Sequence, residues 1–161
     1  MKTPKWRVSD QWLWLAAAAA VTLLIWRNSL FPATESAAQS SYIMELLTPS
    51  LSATPLPVEN WHTLIRKLAH ITEFALLGAF WTAALTRIES GGCPVKKVRV
   101  CHTLFICVLT AMVDETIQAF VPGRGSLVTD IWIDTLGAVI GSGISWLILR
   151  RRQRMQRHKD N

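Results

Sequence analysis

Residues 112–134 read MVDETIQAFVPGRGSLVTDIWID, and this stretch decides the fold. It carries four carboxylates (Asp114, Glu115, Asp130, Asp134), one amide (Gln118) and one guanidinium (Arg124), with strongly apolar segments on both sides. Ionisable groups at the edge of hydrocarbon are expensive, so they usually face inward and serve a function. At the centre, Pro122-Gly123-Arg124-Gly125 is a turn. Proline fixes one φ angle and the glycines admit positive φ, so the chain reverses within a few residues. The stretch is a helix end, a turn and a helix start.

Outward from it, the chain of 161 residues suffices for one domain, and half its residues are apolar and fall in blocks. The first block is the uncharged run Trp12 to Trp26, behind a basic N-terminus (residues 1–10). At about 1.5 Å per residue it covers roughly 22 Å, so its flanks must complete a span of about 30 Å. A cleaved signal peptide is the competing reading, given the basic start and Ala37-Ala38 downstream. A retained helix fits better, because Trp at both block ends, as at Trp146 later, suits a membrane interface. Residues 28–60 are rich in Ser, Thr, Ala and Pro and read as an irregular loop, with room for an amphipathic turn at 42–47 or a plain solvated linker. The second block, Leu68 to Leu85, contains His70 and Glu73. A basic, Gly-broken loop (86–99) precedes the third, Val100 to Val121, and the fourth is Leu127 to Leu149. Cys93, Cys101 and Cys107 make no CxxC and no zinc spacing, and read as small apolar residues.

These blocks predict an all-α integral membrane bundle of four helices, at about 11–30, 67–86, 100–121 and 127–149. An outer loop spans 31–66 and a basic tail 150–161. With both termini cytoplasmic, thirteen of the seventeen Lys and Arg lie inside and only Arg27, Arg66, Lys67 and Arg124 outside, as the positive-inside rule requires. The net charge of +6 flanks apolar blocks, which argues for an anionic membrane face and against nucleic acid. The expected location is the inner (cytoplasmic) membrane, multi-pass.

In this orientation three segments bring polar groups to one depth, within about 10 Å of the outer interface. They are Lys67, His70 and Glu73 on the second helix, Asp114, Glu115 and Gln118 on the third, and Ser126, Asp130 and Asp134 on the fourth. Lys67, His70 and Glu73 are successive i, i+3 neighbours. Ser126, Asp130, Asp134, Gly137 and Gly141 form one stripe, polar above and small below, and small residues at this spacing let helices approach closely.

Such a pocket suits an anionic lipid phosphate. Arg124 can clamp phosphate through two parallel hydrogen bonds. His70 can act as nucleophile or general base, oriented by Glu73 or Asp114. The close carboxylates can alternatively hold a divalent cation. Each residue also has a plainer role: His70 as a helix-end histidine, Arg124 as a juxtamembrane anchor, Asp130 as a helix cap or partner of Arg124, Asp134 and Glu115 as interhelical hydrogen-bond formers. His102 lies near the other end and reads as structural; His62 and His158 read as solvated.

Two motifs carry a resemblance. Residues 66–78, with Arg66, Lys67, His70, Glu73, Leu77 and Gly78, resemble the RKxxHxxEYxxLG motif of VanZ-like membrane proteins. Residues 114–124, with Asp114, Glu115, Gln118, Phe120, Pro122, Gly123 and Arg124, resemble that family's DExxQxFxPGR, followed by Asp130 and the Gly137 and Gly141 pair. Phe74 stands where Tyr is common, and Asp134 where Asn is common, so Asp134 must be protonated or paired if that position has a neutral hydrogen-bonding role. The family is named for a protein associated with teicoplanin resistance. The resemblance implies a lipid-headgroup phosphoesterase or transferase at the membrane surface. His70, Glu73, Asp114, Glu115 and Asp130 would then be catalytic, and Lys67, Gln118, Arg124, Ser126 and Asp134 would hold substrate, a phospholipid or lipid-linked envelope intermediate. The competing expectation is a non-catalytic envelope protein that binds lipid or a lipophilic glycopeptide. An ion-coupled transporter is disfavoured, because the polar groups stop in the outer third.

Overall fold

The structure is a computed structural model that describes residues 8–38, 41, 42, 45, 58–88 and 97–159, and among these there is no strand. Four long helices make the bundle: α1 (Val8–Ser29), α2 (Val58–Ile88), α3 (Lys97–Ala119) and α4 (Val128–Lys159). Most of the amphipathic turn expected at 42–47 and of the basic loop at 86–99 lies outside the described residues.

Two helices outrun their apolar blocks. α2 starts at Val58, directly behind Pro57, where the expectation placed a loop to residue 66. Proline is tolerated ahead of a helix but breaks its interior, so Pro57 sets the boundary and the charges of 58–67 do not. α4 continues to Lys159, past the expected end at 149. Residues 150–159 contain neither Gly nor Pro and consist largely of Arg and Gln, which favour helix.

Among the described residues three helices are long and apolar enough to cross a membrane, over Thr63–Ile88, Arg99–Ala119 and Val128–Met155. The chain is accordingly a multi-pass membrane protein. α1 is shorter in this respect, since Asp10 and Arg27 bound its uncharged run. An exposed apolar belt runs round the bundle, including Trp12, Leu23, Phe105, Leu109, Trp132 and Leu136.

α2 and α4 form the most extensive contact, and α1 packs on α2 and α3. The α2–α4 seam is built from glycine. A Cβ on Gly141 would collide with the Ala75 backbone, one on Gly137 with Ile71, and one on Gly78 with Ala138. Such backbone proximity fixes the relative height of the two helices. The buried core at the junction of all four helices comprises Ile25, Phe74, Leu77, Cys107, Ala111 and Ala138. Trp26, whose ring sequence reasoning assigns to the membrane interface, donates its indole N–H to the Thr110 carbonyl at 3.3 Å and so joins α1 to α3.

α1 runs antiparallel to α2 along its length. At one end Gln11 donates to the Arg87 carbonyl at 3.0 Å, and the Arg87 guanidinium lies 4.4 Å over the Trp14 ring. At the other end Asn28 donates to Glu73 at 2.9 Å. That second end also carries the Pro-Gly-Arg turn, where Gly123 has φ +76° and the Ala33 N–H reaches the Pro122 carbonyl at 3.4 Å.

Candidate functional site: a buried His-Asp-Asp cluster beneath a basic pocket

His70 of α2, Asp114 of α3 and Asp134 of α4 meet at the Pro-Gly-Arg end, each offering one donor atom within 4.8 Å of the others. Their places along the helices explain this. His70 lies seven residues into the Thr63–Ile88 span, Asp114 five before the end of α3, and Asp134 six after the start of α4. At about 1.5 Å per residue these offsets fall between roughly 7 and 11 Å. The glycine seam then brings α4 against α2, so Asp134 and His70 face each other.

Asp114 is fully buried and well held. One carboxylate oxygen accepts from the Ser29 hydroxyl of α1, and the other from the Gln118 amide at 2.7 Å. Asp134 is fully buried too, but neither of its oxygens accepts a hydrogen bond. Its nearest partner is Nδ1 of His70, 3.4 Å from Oδ1, which is an ion-pair distance rather than a formed N–H···O bond. The carboxylate facing the imidazole is therefore Asp134, not Glu73 or Asp114 as the spacing suggested. Asp134 stands at ion-pair distance from His70 with both oxygens free of hydrogen bonds.

Above the cluster opens a cavity of about 600 Å³, counting the space at its mouth. α2 contributes Arg66, His70 and Glu73 to its wall, α1 contributes Asn28 and Ser29, and the turn contributes Arg124. Neither Arg66 nor Arg124 makes an ion pair among the described residues, and Nε of Arg124 is buried without a hydrogen-bond partner. Burial, and then the charge of Arg66, pull the Arg124 pKa below its ordinary value, while Asp114, Glu115 and Glu73 pull it back. Guanidinium stays protonated across the physiological range, so two cations share one pocket.

The remaining sequence candidates separate. Gln118 reaches the site through Asp114. Glu115 is buried, but it accepts the Leu127 N–H at 3.0 Å and closes the α3–α4 turn. Asp130 lies in the first turn of α4, where a carboxylate suits the helix dipole, and it does not line the cavity. Lys67 is half-buried beside the cavity without lining it, and Ser126 is exposed. Sequence reasoning missed Asn28, Ser29 and Arg66 as site residues. The available signal was the polar run Arg27-Asn28-Ser29 directly after the apolar block, a poor place for lipid-facing side chains.

A phosphate could be held between the two guanidiniums with His70 in reach as base or nucleophile, and the His70, Asp114 and Asp134 set has the donor types of a divalent-cation site. No curated protein and no solved structure matches the chain. The VanZ/LLP1 family matches residues 13–149, a range that takes in every residue of the cluster and the pocket wall. On that match, over most of its length, the chain belongs to the VanZ/LLP1 family.

Proposed function

We propose that this protein binds a phosphate-bearing lipid headgroup in the Arg66–Arg124 pocket, at the outer leaflet of the cytoplasmic membrane, and modifies it with His70 as base or nucleophile. The observation that carries the reading is the pair of cations at the mouth of one cavity, with Arg124 Nε buried and unpartnered. A buried donor without an acceptor is costly, and an incoming phosphate oxygen both satisfies it and relieves the repulsion between the two guanidiniums. The exposed apolar belt lets an acyl chain stay in lipid while its headgroup enters.

The same reading takes α1 as the fourth membrane helix. Its Gln11 contact with Arg87 and its Asn28 contact with Glu73 hold α1 beside α2 from residue 87 to residue 73, about 21 Å of a hydrocarbon core of roughly 30 Å. The termini then lie in the cytoplasm, with the basic α4 extension against the anionic inner face.

The test is native mass spectrometry of the purified protein with phosphatidylglycerol and with a neutral diacylglycerol, followed by phosphorus NMR of the lipid after incubation. Selective retention of the phospholipid, weakened roughly tenfold by Arg124→Ala, is the expected result. Equal retention of both lipids would refute headgroup recognition. Binding without any change of the phosphorus spectrum, in wild type and in His70→Ala alike, would assign the pocket to sequestration of lipid or lipophilic glycopeptide.

A further inference from the structure

The cluster under the pocket has a charge imbalance that its own hydrogen bonds do not resolve. Asp134 is wholly buried, and both its oxygens lack a donor. His70 Nδ1 is likewise buried without a hydrogen bond, although it stands 3.4 Å from Asp134. Asp114, also wholly buried, presents its carboxylate to the same point, and Glu73 lines the wall above. Three carboxylates thus surround one imidazole. In a low-dielectric interior an uncompensated carboxylate is costly; Arg124 acts on Asp114 and Glu73, whereas Asp134 faces the His70 imidazole.

From this geometry we infer that His70, Asp114 and Asp134 bind one divalent first-row transition cation, of the zinc or manganese type. The donor set is one imidazole and two carboxylates, which suits these ions better than calcium or copper(I). At metal–ligand distances of about 2.0–2.1 Å, neighbouring ligands of a tetrahedral site lie about 3.3 Å apart. The 3.4 Å between His70 Nδ1 and Asp134 Oδ1 matches such an edge, and the 4.8 Å limit of the cluster leaves Asp114 a short approach. Ser29 and Gln118 supply Asp114 with the orienting hydrogen bonds typical of a ligating carboxylate. Three protein ligands leave a position facing the cavity, where the ion adds Lewis-acid charge neutralisation opposite Arg124. The site deepens the headgroup reading and rests on it for the substrate alone; cation binding stands without it. An imidazole that ligates through Nδ1 carries its proton on Nε2, so with the ion bound His70 serves as a ligand in place of base or nucleophile.

The experiment strips the detergent-solubilised protein with chelator, reloads it with zinc or manganese, desalts it and measures metal by plasma mass spectrometry. The expected result is about one ion per chain, at least tenfold weaker binding in Asp134→Asn and Asp114→Asn, and no change in Asp130→Asn. Thermal unfolding should shift upward with metal in wild type and not in Asp134→Asn. Should an Asn variant not fold, X-ray absorption of the loaded wild type decides: one imidazole and oxygen ligands support the site. Sub-stoichiometric loading, full loading of both folded Asn variants, or sulfur in the first shell overturns it. Phosphatidylglycerol retention measured on the stripped and reloaded protein separates the two readings. Retention without any metal loading sinks the cation site alone, and normal loading without lipid sinks headgroup binding alone.

Discussion

Asp114 is closed to solvent, and each of its oxygens is engaged from a different helix position: Ser29 on α1 and Gln118 one turn further along α3. Replacing Ser29 by Ala leaves one buried oxygen without its donor. The loss should cost about 1–3 kcal/mol, read as a lower thermal midpoint in detergent. The more informative readout is lipid binding, which should fall as well, because Asp114 then turns freely beneath the pocket. Arg124 gives a second test at this scale. Lys keeps the charge but loses the planar fork. Arg124→Lys should therefore retain part of the phosphatidylglycerol binding that Arg124→Ala loses, and equal loss in both would mean that the fork, not the charge, holds the ligand. Phe74, which stands at the Tyr position of the motif that residues 66–78 resemble, is fully buried in the four-helix core. A hydroxyl at that position would need a partner, and Phe removes the need.

At the scale of helices, the site exists because α2 and α4 touch backbone to backbone. Gly141→Ala should cost about 1–3 kcal/mol, since the added methyl meets the Ala75 backbone and the helices must separate. Gly143 provides the control: nothing lies within 4 Å of its would-be Cβ, so Gly143→Ala should be neutral or stabilise α4 by up to about 1 kcal/mol. Equal effects of the two substitutions on thermal unfolding would contradict the seam. This seam was legible in the sequence, because Gly137 and Gly141 continue the stripe of Asp130 and Asp134 at helical spacing. The division of labour between Asp114 and Glu115 was not. Adjacent residues point about 100° apart on a helix, so one of them must leave the pocket, but only the packed turn shows that Glu115 leaves to bind Leu127. The part played by Asn28 and Ser29 was hidden for a related reason. A polar run at a helix end states that it avoids lipid, and tertiary contact alone states whom it meets. Apolar blocks mark membrane spans and not helix ends, so the helical residues 58–66 and 150–159 fell outside the expected helices; helices tolerate charge and stop at Pro or Gly.

For the whole molecule the open quantity is the number of crossings, and α1 decides it. Apolarity alone selects α2, α3 and α4, and an odd number of spans puts the termini on opposite sides. The contacts of α1 argue for four. It reaches Arg87 near the end of α2 and Glu73 at the middle of α2, and its Ser29 hydroxyl is part of the site, so a helix lying flat on the surface would forfeit both contacts and site. Removal as a signal peptide would have the same cost. On the proposed four-span reading both termini lie on one side, and the distribution of Lys and Arg assigns that side to the cytoplasm. Single cysteines test this in a background with Cys93, Cys101 and Cys107 replaced by Ala. In intact cells a membrane-impermeant maleimide should label Ser126→Cys, in the exposed α3–α4 turn, and should label neither Thr3→Cys nor His158→Cys until the membrane is opened. Labelling of Thr3→Cys together with Ser126→Cys would leave three spans and put α1 outside the membrane. Protection of both termini would fix α1 as a spanning helix and the Arg66–Arg124 pocket as an outward-facing one, open to the leaflet from which its lipid must come.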